Sequence, residues 1–307
     1  MIPIKGYATF HPLKHCIVGR ATPVDDADEN LKDIMSRTEE DFAHLIKTLE
    51  SFDVQCYRPN VEDKTVRPPL SPRDYFAVIG EKLYVGKVIP GYKDIIKEID
   101  RDNIEWYLGN DISSGNMVRC GTHIHWDVSE QVSSEAEVKI TKTLERRGYT
   151  IYKTRYGWHM DGVYSILKPG VIVATMDLPE LETIYPKWDI CYVDKSKSEN
   201  PIKHAWGGNH EESNYDVNIL SINEENCVVI GENKKLLNFL EQNKINPIVC
   251  KFRDSAFWDN GIHCVTQDLY REGNQENYFY KKPPTRKSRR LIELQFNIIT
   301  PLSLPRF

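Results

Sequence analysis

Apolar residues recur along the chain with two periods, one typical of an amphipathic helix and one typical of a strand. Segments with apolar residues three and four positions apart predict helices, and each is followed after a short join by a β-rich run. The predicted helices cover residues 38–51, 133–147 and 233–243, and the predicted strands cover 53–59, 148–154 and 245–252. Ser133 and Ser134 are candidate caps for the second helix.

Pairs of β-rich runs joined by tight polar turns predict three hairpins. These pairs span residues 75–86, 163–175 and 216–232, and each turn contains Gly, Pro, Asn or Glu. Residues 92–100, after the first hairpin, predict a shorter helix. The repeating unit is therefore hairpin, helix and strand, with copies that begin near residues 10, 75, 120, 163 and 216.

About five mixed α/β units of this size predict a closed ring of small sheets that forms a single domain over residues 1–307. The alternative is a conventional open α/β sheet. The sequence lacks the glycine-rich phosphate loops that often accompany such a sheet, which favours the ring.

Composition narrows the class of protein. Apolar residues make up 40% of the chain and charged residues 28%, with a formal charge of −5, so we expect a globular protein without a general affinity for nucleic acid. One basic cluster interrupts this balance, and we interpret it as a solvated loop rather than a polyanion site. It comprises Lys281, Lys282, Arg286, Lys287, Arg289 and Arg290.

The sequence shows no secretory signal and no apolar run long enough to span a membrane. The seven cysteines are scattered, and none forms a CxxC pair, which argues against a disulfide framework or a zinc knuckle. We expect a cytoplasmic protein in which most thiols, including Cys227 and Cys250, are buried core residues.

Polar residues of distinctive chemistry share one position in the repeat, the loop that enters a hairpin. Asp74 precedes the first hairpin, His159 and Asp161 precede the second, and Cys264 lies in the last such loop. Equivalent loops of a ring point towards its axis, so we expect these four side chains to meet in one cavity.

This set of side chains suits a guanidinium group. Paired carboxylates bind the planar cation through charge-assisted hydrogen bonds. The central carbon of a guanidinium is a poor electrophile, and a thiolate is the strongest nucleophile that side chains offer. A histidine can protonate the departing amine and later deprotonate an acceptor. The sequence therefore predicts Cys264 as the nucleophile and His159 as the acid and base.

Other residues carry weaker signals. His123, His125 and Asp127 alternate along a predicted strand, and we interpret them as a polar strand face rather than a metal site. His263 would point away from Cys264 in an extended segment, so we do not assign it as the base. The aromatic residues that flank the motifs, Trp158 and Trp258, are candidate pocket residues.

Four motifs, taken in order, resemble the amidinotransferase branch of the guanidino-group-modifying enzymes, a family typified by glycine amidinotransferase. They lie at residues 11–23, 71–84, 159–167 and 259–268, and the similarity runs in this order across most of the chain. The last motif, in which Cys264 follows Gly-Ile-His, is the most specific.

The resemblance implies an α/β fold with five blades, the αβ propeller of pseudo-fivefold ββαβ-type units, and a covalent amidino-cysteine intermediate. It assigns Cys264 as the nucleophile, His159 as the general acid and base, and Asp74 and Asp161 as the carboxylates that hold the guanidino group. Further substrate-binding candidates are Asn218, which matches an active-site asparagine, Asp216, which stands where the family has serine, and Arg73 beside Asp74. No cofactor and no metal are implied.

One departure from the family concerns the acid that supports the histidine. In the corresponding stretch, 116–127, Arg119 or Cys120 stands where that acid is expected, and Asp127 is the nearest carboxylate. Either another acid supports His159 or this histidine has no such partner.

The leading hypothesis is an amidinotransferase that moves the amidino group of L-arginine to an amine acceptor. One alternative is an arginine deiminase-like amidinohydrolase, in which water replaces the acceptor. Another is a non-catalytic protein that binds guanidino compounds. We expect small-molecule partners, no nucleic acid and no membrane, and a homodimer is compatible with the sequence.

Overall fold

The structure is a computed structural model of the 307-residue chain, and it describes residues 1–21, 29–60, 68–176, 178–194, 196–203, 209–213 and 215–279. The basic cluster at 281–290 lies outside the described residues. None of the helices within those described ranges has the length and apolarity that a membrane span requires.

Six α-helices are present in the described residues, and they include all those predicted. Their bounds are α1 Glu29–Glu50, α2 Lys93–Lys97, α3 Ser134–Arg146, α4 Leu181–Ile184, α5 Lys234–Gln242 and α6 Ser255–Trp258. The Ser133 side chain caps α3 by accepting a hydrogen bond from Ala136 N, as predicted. Asn233 caps α5 in the same way. Helix α1 buries Met35, Phe42 and Leu49, the face that its helical periodicity predicts.

Five three-stranded sheets repeat one topology, and a two-stranded pair, β12 Ser196–Lys203 with β13 Asn209–Ser213, stands beside them. In each of the five, an antiparallel pair is extended by a third strand that runs parallel to one of its members. Four of the sheets are consecutive in the chain. Their strands are β3 Phe76–Ile79, β4 Lys82–Val85 and β5 Ile104–Trp106; β6 Met117–Cys120, β7 His123–Asp127 and β8 Thr150–Thr154; β9 Tyr164–Lys168, β10 Val171–Ala174 and β11 Asp189–Tyr192; and β14 Leu220–Ser221, β15 Asn226–Val229 and β16 Asn246–Val249.

The fifth sheet joins the beginning of the described chain to its end. Strand β1, Leu13–Val18, pairs in parallel with β2, Gln55–Tyr57, and antiparallel with β17, Thr266–Arg271. The copy predicted to begin near residue 10 therefore supplies only two of its three strands. The strand that completes it directly follows the loop of Cys264.

Five buried apolar clusters connect the five sheets in a closed order. Each cluster takes side chains from two neighbouring sheets, and α1, α2, α3 and α5 add apolar residues to four of them. For example, Ala77 of β3 packs in one cluster with Ile124 of β7, and Leu220 of β14 packs in another with Leu13 of β1. The succession returns to its starting sheet, which is consistent with a propeller-like ring.

A buried carboxylate lies where three of these sheets approach one another. Asp268 of β17 accepts hydrogen bonds from Arg73, Arg119 and Arg271, and all four side chains are almost completely buried. The three guanidinium groups hold the pKa of Asp268 well below its usual range, although burial opposes them. This ion cluster ties the loop of Arg73 and strand β6 to β17, the strand that follows Cys264.

Candidate active site

The five loops that enter the three-stranded sheets supply the polar side chains of the site. Residues 72–74 precede β3, 113–116 precede β6, 160–162 precede β9, 215–218 precede β14 and 261–264 precede β17. Three of these loops contain a single turn of 3₁₀-helix. The shared position predicted for Asp74, His159, Asp161 and Cys264 therefore extends to all five units.

The thiol of Cys264 is half-buried and held by two neighbouring loops. Asn218 Nδ2 lies 3.1 Å from Cys264 Sγ, and Asn218 Oδ1 accepts a hydrogen bond of 2.9 Å from the Cys264 amide. The approach is so close that a Cβ at Gly261 would lie 2.5 Å from the Asn218 side chain, so this position requires glycine. Asn218 thus fixes both the backbone and the sulfur of residue 264.

Asp161 is buried and contacts two residues of the Cys264 loop through one oxygen. Its Oδ2 accepts a hydrogen bond from His263 Nδ1 at 2.8 Å and lies 3.5 Å from Cys264 Sγ. Its Oδ1 is also buried but has no hydrogen-bond donor among the described residues. A buried acceptor without a donor is rare, and here it leaves one carboxylate oxygen available for a cation.

His263 corrects one expectation. Residues 262–265 form a turn rather than an extended strand, with Val265 N bonded to Gly261 O and Thr266 N bonded to His263 O. The side chains of His263 and Cys264 therefore both reach Asp161, instead of pointing in opposite directions. Burial, aided by the charge of Arg73, lowers the pKa of His263 to about 4, so its imidazole is neutral at physiological pH.

His159 and Asp74 form the second pair of the site. His159 Nδ1 lies 3.5 Å from Asp74 Oδ1, and both side chains are partly exposed. Burial lowers the pKa of His159, but carboxylates led by Asp74 and Asp161 outweigh it and leave this pKa above its ordinary value. The histidine is therefore protonated more readily than a free imidazole.

The pKa values of Asp74 and Cys264 are both raised. Burial raises the pKa of Asp74 to about 6, helped by the charges of Asp161 and Asp111 and opposed by His159 and Arg73. Burial, together with the charges of Asp161 and Asp74, raises the pKa of the Cys264 thiol well above its usual range. The unliganded site therefore holds a protonated thiol, and a bound cation between the carboxylates would favour the thiolate.

The segment that lies against His159 contains Gly115, whereas the sequence comparison pointed to Arg119 or Cys120. Gly115 approaches the His159 ring so closely that a Cβ would lie 3.0 Å from Nδ1. The neighbours of this glycine are the buried neutral residues Ser113, Ser114 and Asn116. Arg119 instead binds Asp268, and Cys120 lies in an apolar cluster. Asp74 is the carboxylate that forms the described ion pair with His159.

Asp127 supports His159 indirectly, through the backbone of the preceding residues. Its buried carboxylate accepts hydrogen bonds of 2.7 to 2.9 Å from the Thr154 hydroxyl and from the amides of Tyr156, Gly157 and Trp158. These bonds fix the loop that leads directly into residue 159.

Three further candidates lie in other surroundings. Arg73 donates hydrogen bonds to His263 O at 2.7 Å and to Asp268, so its described bonds hold the loop of Cys264 in place. Asp216 accepts a hydrogen bond of 2.7 Å from Asn233. Trp258 is buried in the core and donates to Thr38, which contradicts its interpretation as a pocket residue, whereas Trp158 is partly exposed beside His159.

Two other predictions concern the histidines of residues 123–127 and the seven cysteines. His125 bonds with the hydroxyl groups of Tyr164 and Thr154, and within the described ranges no cluster of His, Cys, Asp or Glu suits a metal ion. All seven cysteines are free, and Cys227 and Cys250 are buried, as predicted.

Two acidic residues near the site were not singled out from the sequence. The charges of Asp111 and Asp259 both raise the pKa of His159. Asp259 lies five residues before Cys264 in the left-handed region, with a φ of 51°. No sequence pattern separates either residue from an ordinary surface aspartate, which explains why they were missed.

Comparison with known proteins places this fold. The structure of SxtG, an amidinotransferase from Microseira wollei in the saxitoxin biosynthetic pathway, superposes with a TM-score of 0.72 at 20% identity, over 90% of this chain and 100% of that one. Inosamine-phosphate amidinotransferase StrB1 from Streptomyces griseus gives 0.71 at 19% identity, over 91% and 100%. A dimethylarginine dimethylaminohydrolase bound to S-methyl-L-thiocitrulline gives 0.61 at 14% identity, over 83% and 98%.

The chain therefore has the α/β fold shared by amidinotransferases and dimethylarginine dimethylaminohydrolases. A curated relative, the L-arginine:L-lysine amidinotransferase of Pseudomonas savastanoi pv. phaseolicola, is 25% identical over 122 residues, or 39% of this chain. The match spans about a third (32%) of that relative. No protein-family model matches the chain. Within this fold class, the chain resembles the amidinotransferase family, as the sequence motifs predicted.

Proposed function

We propose that the protein is a cysteine-dependent amidinotransferase that takes the amidino group from L-arginine and passes it to an amine acceptor through an amidino-Cys264 intermediate. Asp74 and Asp161 hold the guanidinium of the donor, His159 moves protons, and Asn218 fixes Cys264. The resemblance to amidinotransferases supports the type of reaction, and the contacts around Cys264 support the assignment of roles.

The first half-reaction forms a carbon–sulfur bond and breaks a carbon–nitrogen bond. The sulfur of Cys264 attacks the central guanidinium carbon, and the His159 imidazolium gives a proton to the departing nitrogen. The thiol proton replaces it on the imidazole, so ornithine leaves as the amine and a cationic amidino-thioether remains. In the second half-reaction the acceptor amine attacks the same carbon and the carbon–sulfur bond breaks. The His159 imidazolium protonates the departing sulfur, which restores the thiol, and the imidazole then accepts the proton that the attacking amine releases.

The observation that best supports the proposal is the difference in hydrogen bonding between the two carboxylate oxygens of Asp161. Oδ2 contacts both His263 and Cys264, whereas the buried Oδ1 has no donor within the described part of the chain. A guanidinium N–H bonded to Oδ1 would satisfy this oxygen and bring the central carbon close to Sγ. Its positive charge would also offset the carboxylates that keep the thiol protonated.

The test is a single-turnover reaction with labelled L-arginine, followed by peptide mass spectrometry. We expect an amidino adduct on Cys264 and one equivalent of ornithine, and loss of both in Cys264→Ser. Cys56→Ser, which alters a thiol in β2, is the matched control and should react normally. Citrulline with ammonia in place of ornithine would indicate the hydrolase instead, and intact arginine with an unmodified thiol would indicate a binding protein.

We also infer that the five sheets form a five-bladed αβ propeller within one domain that covers residues 1–307. The closed succession of apolar clusters supports this inference. A single cooperative unfolding transition, coincident by circular dichroism and tryptophan fluorescence, is the expected result, and two separate transitions would contradict it.

A further inference from the structure

A cavity of about 390 Å³ lies beside Asp74. Asp74 and Tyr75 form one wall, and Lys87, Asp111 and Gln131 contribute to the others. Its volume falls within the range of roughly 300–1,000 Å³ that is typical of sites for small ligands. The cavity therefore has room for one amino acid next to the carboxylate that faces His159.

Two glycines fix the walls of this cavity. Gly109, with a φ of 85°, donates a hydrogen bond of 3.0 Å to Gly86 O, which joins the loop after β5 to the end of β4. A Cβ at Gly86 would lie 2.0 Å from Asn110 O, so the two segments touch through their backbones. Lys87 and Asp111 each directly follow one of these touching residues, and both line the same cavity.

These two side chains carry opposite charges that nothing in the described residues neutralises by direct contact. The Lys87 ammonium is exposed and the Asp111 carboxylate is half-buried, and neither makes a hydrogen bond or an ion pair with another described residue. The charge of Asp111 nevertheless affects the candidate active site, since it raises the pKa values of Asp74 and His159. One cavity thus offers a cation, an anion and an approach to the site.

We propose that Lys87 and Asp111 bind the zwitterionic head group of an α-amino acid, with Lys87 on the carboxylate and Asp111 on the ammonium. This inference rests on the proposed function and specifies its substrate class. The side chain of the bound amino acid extends towards Asp74, where its terminal guanidinium or amine reacts. Charge-assisted hydrogen bonds of this kind discriminate strongly against ligands that lack one of the charges.

The site has a consequence for the acceptor. In a reaction through a covalent amidino-thioether, ornithine leaves before the acceptor arrives, so both can use one head-group site in turn. The acceptor that this cavity fits is therefore an α-amino acid with a terminal amine, rather than a simple alkylamine or an amino sugar.

The experiment compares L-arginine with two analogues, agmatine, which lacks the carboxylate, and 5-guanidinopentanoate, which lacks the α-amino group. We expect wild-type adduct formation on Cys264 to be about 10- to 100-fold slower for each analogue at low concentration. Lys87→Met should lower the rate with arginine to that with agmatine and leave agmatine unaffected. Asp111→Asn should remove the preference for arginine over 5-guanidinopentanoate, and any change in rate common to both donors reflects the loss of its charge near Asp74 and His159.

Matched controls alter exposed charges close by. Lys93→Met on α2 and Glu130→Gln beside Gln131 should retain the wild-type preference for arginine. Equal losses for arginine and for the analogues, or an unchanged preference in both cavity variants, would overturn the inference.

Binding to the Cys264→Ser variant separates this inference from the proposed function. Calorimetry should show tighter binding of arginine than of agmatine, and the additional Lys87→Met substitution should remove the difference. If that result is obtained while the wild-type enzyme forms no adduct, the head-group site stands and the covalent mechanism fails. If arginine and agmatine bind equally to Cys264→Ser, the head-group site is wrong.

Discussion

His263 and Cys264, adjacent in the chain, meet the same carboxylate oxygen, Asp161 Oδ2. The neutral imidazole donates its Nδ1 proton at 2.8 Å and so fixes the orientation of the carboxylate. Burial raises the pKa of Asp161, but the hydrogen bond from His263, with the charges of His159 and Arg73, outweighs it and leaves this pKa low. His263 is thus a positioning residue that acts through Asp161.

Removal of this hydrogen bond should slow adduct formation and change its pH dependence. We expect His263→Phe to lower kcat/KM for arginine about 10- to 100-fold and to steepen the acid limb of the profile, because the pKa of Asp161 rises towards that of Asp74. His263→Asn, whose amide can also donate, should recover part of the rate. An acid limb of unchanged steepness in His263→Phe would show that the residue has a purely structural role.

The raised pKa of Asp74 predicts an acid limit for donor capture. Asp74 is ionised above about pH 6 and neutral below it, so its attraction for a guanidinium is lost as the pH falls. Between pH 7 and pH 5, kcat/KM should fall by roughly tenfold, whereas kcat should fall at lower pH because bound arginine stabilises the carboxylate. An identical acid limb in kcat and kcat/KM would contradict this assignment.

Asp74→Asn separates binding from stability. The folded protein holds this carboxyl at a pKa above that of an unfolded chain, so folding becomes less favourable as the pH rises through about 6. The amide should therefore raise the melting temperature at pH 7.5 while greatly reducing adduct formation. A lower melting temperature, measured by scanning calorimetry, would show that the pair with His159 outweighs the cost of burial.

Asp127 should control the placement of His159 without touching the substrate. Asn at this position keeps one acceptor but turns an amide N–H₂ towards backbone donors, so the loop 156–158 should loosen. We expect Asp127→Asn to lower kcat at least tenfold and to accelerate hydrogen exchange at these three amides. Asp189→Asn, on the surface of β11, is the control for the charge change. Unchanged exchange in Asp127→Asn would count against this role.

The ion cluster predicts a large loss of stability on one substitution. Asp268→Asn leaves three buried guanidinium groups without their counter-charge, and we expect a loss of about 3–5 kcal/mol in the free energy of unfolding. Because the folded pKa of Asp268 is depressed, its contribution is present at neutral pH and is lost only as the pH falls through that low value. Urea denaturation measures the effect, with Asp189→Asn expected to stay within about 0.5 kcal/mol of wild type. A similarly small change in Asp268→Asn would refute the prediction.

Local pattern was sufficient to predict four of the six described helices, three of the hairpins and the common position of the polar loops, whereas the four-residue helices α4 and α6 and the hairpin of β6 with β7 were not predicted. The apolar stripes of α1, α3 and α5 are properties of neighbouring residues, so they are visible in the sequence alone. The pairing of β1 with β17 was not visible, because a strand's pattern gives its buried face and not its partner.

The site was predicted in outline and missed in detail. Chemical type and repeat position brought together Asp74, His159, Asp161 and Cys264. The role of His263 was missed because alternation was assumed in a segment that forms a turn. The binding of Asp268 by arginines from distant segments likewise depends on tertiary contacts that no local spacing encodes.

The pairing of β1 with β17 also determines the order in which the protein can fold as it is synthesised. During synthesis on the ribosome, four sheets can form from neighbouring segments, whereas β1 waits for a partner that is translated near the end of the described chain. Cys264, the proposed nucleophile, emerges just before that partner. A chain that stops before Cys264 lacks both this thiol and the strand that completes the sheet of β1, so the candidate site and this sheet are completed at nearly the same point of synthesis.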